Sequence, residues 1–186
     1  MRSLKKPYRR FLSDMDRSRR RGIEIESESS RLTAWKLRLL TEGLLSDLWQ
    51  DWNNFTRTVL LMSCQGCITR NATKIQRRPC DNSWQRISYE AKCASQDRTA
   101  VHGRINRFRS QEPTWGDTGK VIKIIHRLNP TNKSKLISAF GLSVSGPTHM
   151  QLVRNACAHK NEESMKAVRK ISIHYLSQPI QQPSEL

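Results

Sequence analysis

Leu45-Ser-Asp-Leu-Trp-Gln-Asp-Trp-Asn-Asn-Phe-Thr-Arg-Thr-Val-Leu-Leu-Met62 decides the fold class. Leu45, Leu48, Trp52, Phe55, Val59 and Met62 step by three and four residues, which keeps them on one side of a helix turning about 100° per residue. The helical pattern reaches back to Arg31, and an unbroken helix of that length spans on the order of 45 Å. Trp35, Trp49 and Trp52 enlarge the apolar side, each able to bury a large area. Gly43 is the expected place for a bend or break. This is the scaffold of an all-α helical bundle.

Outward toward the N-terminus, residues 1–21 carry nine Lys or Arg against Asp14 and Asp16. Leu4, Tyr8, Phe11, Leu12 and Met15 fall at helical spacing within them, so the segment reads as a basic amphipathic helix. It suits RNA, an anionic membrane surface, a partner, or its own bundle. Glu24, Glu26 and Glu28 then reverse the charge in a serine-rich stretch, which predicts a linker or a solvated turn over 22–30. Residues 1–30 are therefore expected to form a basic N-terminal helical extension with its linker, 31–178 a helical domain, and 179–186 a polar C-terminal tail.

Outward toward the C-terminus, residues 64–82 hold Gly66 and Pro79 among Arg70, Lys74, Arg77 and Arg78, a basic loop. Helical pattern resumes over 83–98. Arg104, Arg107 and Arg109 then surround Phe108, a composition that grips and stacks single-stranded RNA or forms a solvated loop with Trp115 tucked into the core. Asp117 is a good N-cap for a helix carrying Val121, Ile124, Ile125 and Leu128 and closed by Asn129-Pro130. A short helix is expected over 131–140, stopped by Gly141. Ser145-Gly-Pro147 opens another. Asn161 caps the last, which runs through Met165, Val168, Ile171 and Tyr175. No alternating run supports a sheet.

The 33 Lys plus Arg exceed the 16 Asp plus Glu to give a net charge of +17, which favours polyanionic partners through phosphate contacts and counterion release. Five cysteines form an odd set, and the basic N-terminus lacks the apolar segment of a secretory signal, so a reducing cytoplasm is the expected location. No apolar run approaches the roughly 18 residues of a membrane span. Cys64-Gln-Gly-Cys67 has the spacing of half a zinc site, but Cys80 and Cys93 supply no second close pair, so neither metal nor cofactor is assigned. Asp117-Thr-Gly-Lys120 lacks the preceding glycine and the following hydroxyl residue of a phosphate loop, which excludes a nucleotide triphosphatase of that type.

Chemistry concentrates in Gln151-Leu-Val-Arg-Asn-Ala-Cys-Ala-His-Lys160. Arg154 is a permanent cation that forks onto phosphate oxygens, and His159 is of the one residue type whose ordinary titration falls near neutrality. Asn155 and His159 share a helix face as an i,i+4 pair, whereas Arg154 stands about 140° from His159. A continuous helix therefore needs either an end before His159 or a second copy to bring all three groups onto one phosphate. Arg-x4-His also occurs from Arg169 to His174, but without the asparagine after the arginine or the alanine before the histidine.

The context of Arg154, Asn155 and His159, with apolar Leu152-Val153 leading in and predicted helices on either side, resembles the HEPN superfamily. The resemblance is sharp over 147–176 and architectural elsewhere. It implies a metal-independent endoribonuclease that leaves a 2′,3′-cyclic phosphate and a 5′-hydroxyl, usually as a homodimer with both motifs in one cleft. It also implies an alternative, since the superfamily includes non-catalytic RNA- or protein-binding modules. Arg154, Asn155 and His159 are the expected catalytic residues. Arg70, Lys74, Arg77, Arg78, Arg104, Arg107, His149 and Lys160 are the expected RNA contacts. The implied partners are RNA, a second copy, and an inhibitory antitoxin or other component of a toxin or antiphage defence system.

Overall fold

Side-chain caps fix the starts of three helices. Ser83 accepts from the Arg86 amide, Asp117 from the Lys120 amide, and Asn161 from the Ser164 amide, each satisfying a donor that the first helical turn leaves unpaired. The computed structural model describes residues 1–142, 145–159, 161–176 and 180–183. Its elements run β1 (Arg2–Ser3), α1 (Lys5–Glu28), α2 (Ala34–Gln65), β2 (Cys67–Ile68), β3 (Lys74–Ile75), α3 (Trp84–Ser95), α4 (Thr118–Leu128), α5 (Lys133–Gly141), α6 (Ser145–His159) and α7 (Glu162–Ser172). Single 3₁₀ turns lie at Ser29–Arg31 and Arg109–Gln111. The chain is predominantly helical, and no helix among the described residues is long and apolar enough to cross a membrane.

The chain forms two compact units, one of Met1–Arg10 with Asn53–Val144 and one of Phe11–Trp52 with Ser145–Leu186. In the first, the C-terminal part of α2 packs with α3, α4 and α5 around Leu60, Cys64, Ile87, Val121, Ile124 and Ile125. Leu60 to Cys64 are all buried, so the apolar stripe there widens to the whole circumference of the helix. In the second, α6 and α7 pack through Val153, Ala156, Cys157, Met165, Val168 and Ile171, with Leu45 of α2 against them.

Several expectations are corrected. A sheet of three two-residue strands exists, with β1 parallel to β2 and β2 antiparallel to β3. Strands this short carry no hydrophobic alternation to read. The stretch 64–82 is thus a hairpin and loop rather than a loop throughout. The expected boundary near residue 30 is not where the units divide: Leu4 packs beside Met62, Cys67 and Ile75, and the Phe11 ring lies 6.0 Å from Trp52. Residues 1–28 are therefore docked structure, and α1 runs through the charge reversal to Glu28. Arg19 and Arg20 each bond Asp16 one turn back, a pairing that helps the helix tolerate its charge. No break occurs at Gly43. Trp35 is 57% exposed, not core. The C-terminal tail is not simply polar either, since Ile180 is buried in the α6–α7 core and Gln182 accepts from Arg38.

Candidate functional site

α6 is continuous from Ser145 to His159, so the Arg154–His159 segment does not straddle a helix end. Val153, Ala156 and Cys157 are its buried face, which fixes the rotation of the helix. Asn155 consequently lies on the side turned away from that core, with His159 about 40° and Arg154 about 100° from it on opposite sides around the axis. Arg154 lies at the flank, half-buried, while His159 is exposed.

Arg154 Nη1 donates to Asn155 Oδ1 at 3.3 Å. That bond joins Arg154 to Asn155, whose backbone position is about 40° around the helix from that of His159. Among the described residues no carboxylate pairs with Arg154, so its remaining donors are available to an incoming anion. α7 begins with Glu162 and Glu163 in its first turn, and Glu162 is taken by Arg169 at 2.7 Å. The second Arg-x4-His match is thereby accounted for: Arg169 is ion-paired, and His174 stacks on His149 with centroids 6.0 Å apart.

The other expected contacts separate. His149 is turned to the end of α7, its Nδ1 2.7 Å from the Tyr175 hydroxyl. It lies ten residues from His159 along one helix, roughly 15 Å of rise, so the two imidazoles belong to different parts of α6. Lys160 lies outside the described residues. Arg70, Lys74, Arg77, Arg104 and Arg107 are exposed, and Arg70 sits over the Tyr8 ring at 5.4 Å.

Arg78 is a correction. It is 4% exposed, and its guanidinium bonds Asn82 Oδ1 at 2.6 Å, Glu90 Oε2 at 2.7 Å and the Asp81 carbonyl at 3.0 Å. With its donors turned inward it ties the loop before α3 to the core and offers nothing to RNA. The same carboxylate of Glu90 accepts from Arg86, so two arginines share one half-buried acid.

The cysteines are reduced. Cys64 and Cys67 are buried, and burial pushes the Cys64 thiol up to about 12 despite the nearby Arg78 guanidinium. No group of three or more His, Cys, Asp or Glu that could hold a metal ion occurs among the described residues.

Sequence reasoning missed a second concentration of charge in the first unit. Arg2, Arg57, Arg77 and Arg109 line one cleft of about 780 Å³ beside Trp84. These residues come from four separated segments, and nothing in their local sequence signals the convergence. No family model, curated protein or solved structure matches the chain.

Proposed function

We propose that the chain is a metal-independent endoribonuclease of the HEPN type, working as a homodimer in which two copies of α6 present their motifs to one RNA phosphate. The observation that carries this function is the Arg154–Asn155 hydrogen bond at 3.3 Å beside an exposed His159 on the same continuous helix. An ion-paired arginine would have argued for a surface salt bridge instead.

The chemistry follows from the groups. Neutral His159 takes the proton of the ribose 2′-hydroxyl, and the 2′-oxygen attacks phosphorus. As the bond from phosphorus to the 5′-oxygen breaks, that oxygen takes a proton from water, and the His159 imidazolium returns its own proton to solvent. A 2′,3′-cyclic phosphate and a 5′-hydroxyl result, with no net proton consumed. Such proton transfer contributes about 10²–10⁴-fold. Arg154 stabilises charge on the non-bridging oxygens, and Asn155 holds Arg154 or the phosphate in place. The two-fold axis supplies the groups that one helix cannot aim together. A ribonuclease of this kind must be restrained in its own cytoplasm, which calls for an inhibitory antitoxin or a defence-complex partner.

The test is incubation of purified protein with RNA in EDTA, with mass analysis of the product ends. Cleavage to cyclic phosphate that is lost in folded His159→Ala and Arg154→Ala supports the proposal. Intact RNA under broad conditions with wild-type protein contradicts it and leaves the RNA- or protein-binding module.

A further inference from the structure

We infer that the arginine cleft of the first unit is a binding site for single-stranded RNA, separate from the Arg154 motif and independent of whether that motif cleaves. Four guanidinium groups are brought to one cleft of about 780 Å³, and no Asp or Glu lines it. Arg57 has a carboxylate partner, and convergence of the other three like charges is unfavourable in the free protein and becomes favourable when a polyanion occupies the site.

Arg57 is already neutralised. It donates from Nε and Nη2 to both oxygens of Glu112, at 2.5 and 2.7 Å, and Trp115 Nε1 donates to the same carboxylate at 2.8 Å. Glu112 is 5% exposed and does not line the cleft, and the other three arginines make no ion pair with it. Arg57 also lies 5.9 Å from the centroid of the Trp84 ring, which makes a fixed, partly aromatic wall. Among the described residues Arg2, Arg77 and Arg109 have no carboxylate partner. They are the charges left to meet a ligand.

Their positions are built by the backbone. Pairing of β1 with β2 sets Arg2 opposite Cys67. Gly66 has φ +83°, and a Cβ there would stand 3.0 Å from the Arg77 amide nitrogen, so the chain approaches this closely only with glycine. The Arg78 amide then bonds the Cys64 carbonyl at 3.1 Å, which sends Arg78 inward and leaves Arg77 outward. Arg109 opens a 3₁₀ turn whose Gln111 side chain accepts from the Arg107 and Phe108 amides at 2.7 and 3.2 Å.

The ligand is identified by this chemistry. Guanidinium groups fork onto phosphate oxygens, and an aromatic wall between them suits the flat face or edge of a base. The volume lies within the range of about 300–1,000 Å³ that encloses small ligands, which fits a short stretch of strand. Phosphate and base also occur in free nucleotides, and the measurement distinguishes the two sources.

Binding of a fluorescent, uncleavable 2′-O-methyl uridine dodecamer is measured by anisotropy across a salt series, for wild type, for Arg2→Gln/Arg77→Gln/Arg109→Gln, and for Lys36→Gln/Arg127→Gln/Lys135→Gln. The two variants lose equal charge at exposed positions. We expect the cleft variant to bind at least tenfold more weakly than the control variant, with its salt slope reduced by about 2, since each phosphate contact on a single strand contributes about 0.7. Equal affinities and slopes in the two variants overturn the site. Uridine monophosphate that binds with the same cleft dependence and displaces the dodecamer at equal concentration overturns the strand in favour of a nucleotide. Binding is read on an uncleavable strand and cleavage in a separate assay, so failure of this site and failure of the nuclease are distinguished.

Discussion

Arg154 Nη1 lies 3.3 Å from Oδ1 of Asn155, the next residue in α6, and the asparagine stands between the arginine and His159 on the helix surface. The bond is long for a guanidinium donor and uses one of its five N–H groups. It orients the cation without consuming it. Asn155→Ala is therefore expected to lower kcat by about 10-fold to 10²-fold with little change in stability, a smaller loss than the 10²–10⁴-fold expected of His159→Ala. Arg154→Lys is expected to behave like Arg154→Ala, because an ammonium cannot hold Asn155 and a phosphate in a planar fork. Single-turnover cleavage rates of the variants check the order, and a full-rate Asn155→Ala would remove the asparagine from the site.

Adjacent arginines are predicted to behave in opposite ways. Arg78 is buried and joined to Asn82, Glu90 and the Asp81 carbonyl, whereas Arg77 is exposed in the cleft. Removing the Arg78 side chain takes the guanidinium donor from Asn82 Oδ1 and from Glu90 Oε2. Urea denaturation of Arg78→Met should show a loss of about 3–5 kcal/mol. Arg77→Met should stay within about 0.5 kcal/mol of wild type. Equal midpoints for the two would mean that the buried network contributes nothing.

Thiol chemistry should follow burial. Desolvation raises the Cys64 thiol from an ordinary 9.0 to about 12 and raises Cys67 as well, so little thiolate exists at either near pH 8. Iodoacetamide at that pH should modify exposed Cys80 while Cys64 and Cys67 remain unlabelled until the chain is unfolded. The linkage sign is set by a folded value above the unfolded one. The contribution to stability is full below about pH 9 and declines as pH rises toward 12. Peptide mass mapping of native protein reads the labelling directly, and rapid native labelling of Cys64 would contradict its burial.

Much of the helical framework was legible because its signals are local. Asp117, Asn129 and Asn161 cap helices where their residue type demands it, and Asn129 has the φ of +46° that ends α4. The α6–α7 core was readable from Val153, Val168 and Ile171 at helical spacing. What escaped depends on contacts distant in sequence. Arg77 and Arg78 are indistinguishable as letters, and only the close approach at Gly66 and the acid at Glu90 separate them. The Arg2 strand pairs with a segment 65 residues away. Trp35 reads as core by type, yet the face of α2 that carries Trp35, Leu39 and Leu40 is exposed. Of the candidate site, the spacing of Arg154, Asn155 and His159 was readable; the bond between the first two was not, because their backbone positions diverge by about 100°.

The most direct measurement is mixed-subunit complementation. Inactive Arg154→Ala and inactive His159→Ala are unfolded, mixed at equal concentration, refolded together, and assayed for RNA cleavage in EDTA beside each variant refolded alone. Two motifs sharing one cleft predict that the mixture regains a substantial fraction of wild-type activity, since mixed dimers hold an intact Arg154 on one protomer and an intact His159 on its partner. A mixture as inactive as its components, from a wild type that cleaves, would contradict a site assembled from two copies of α6.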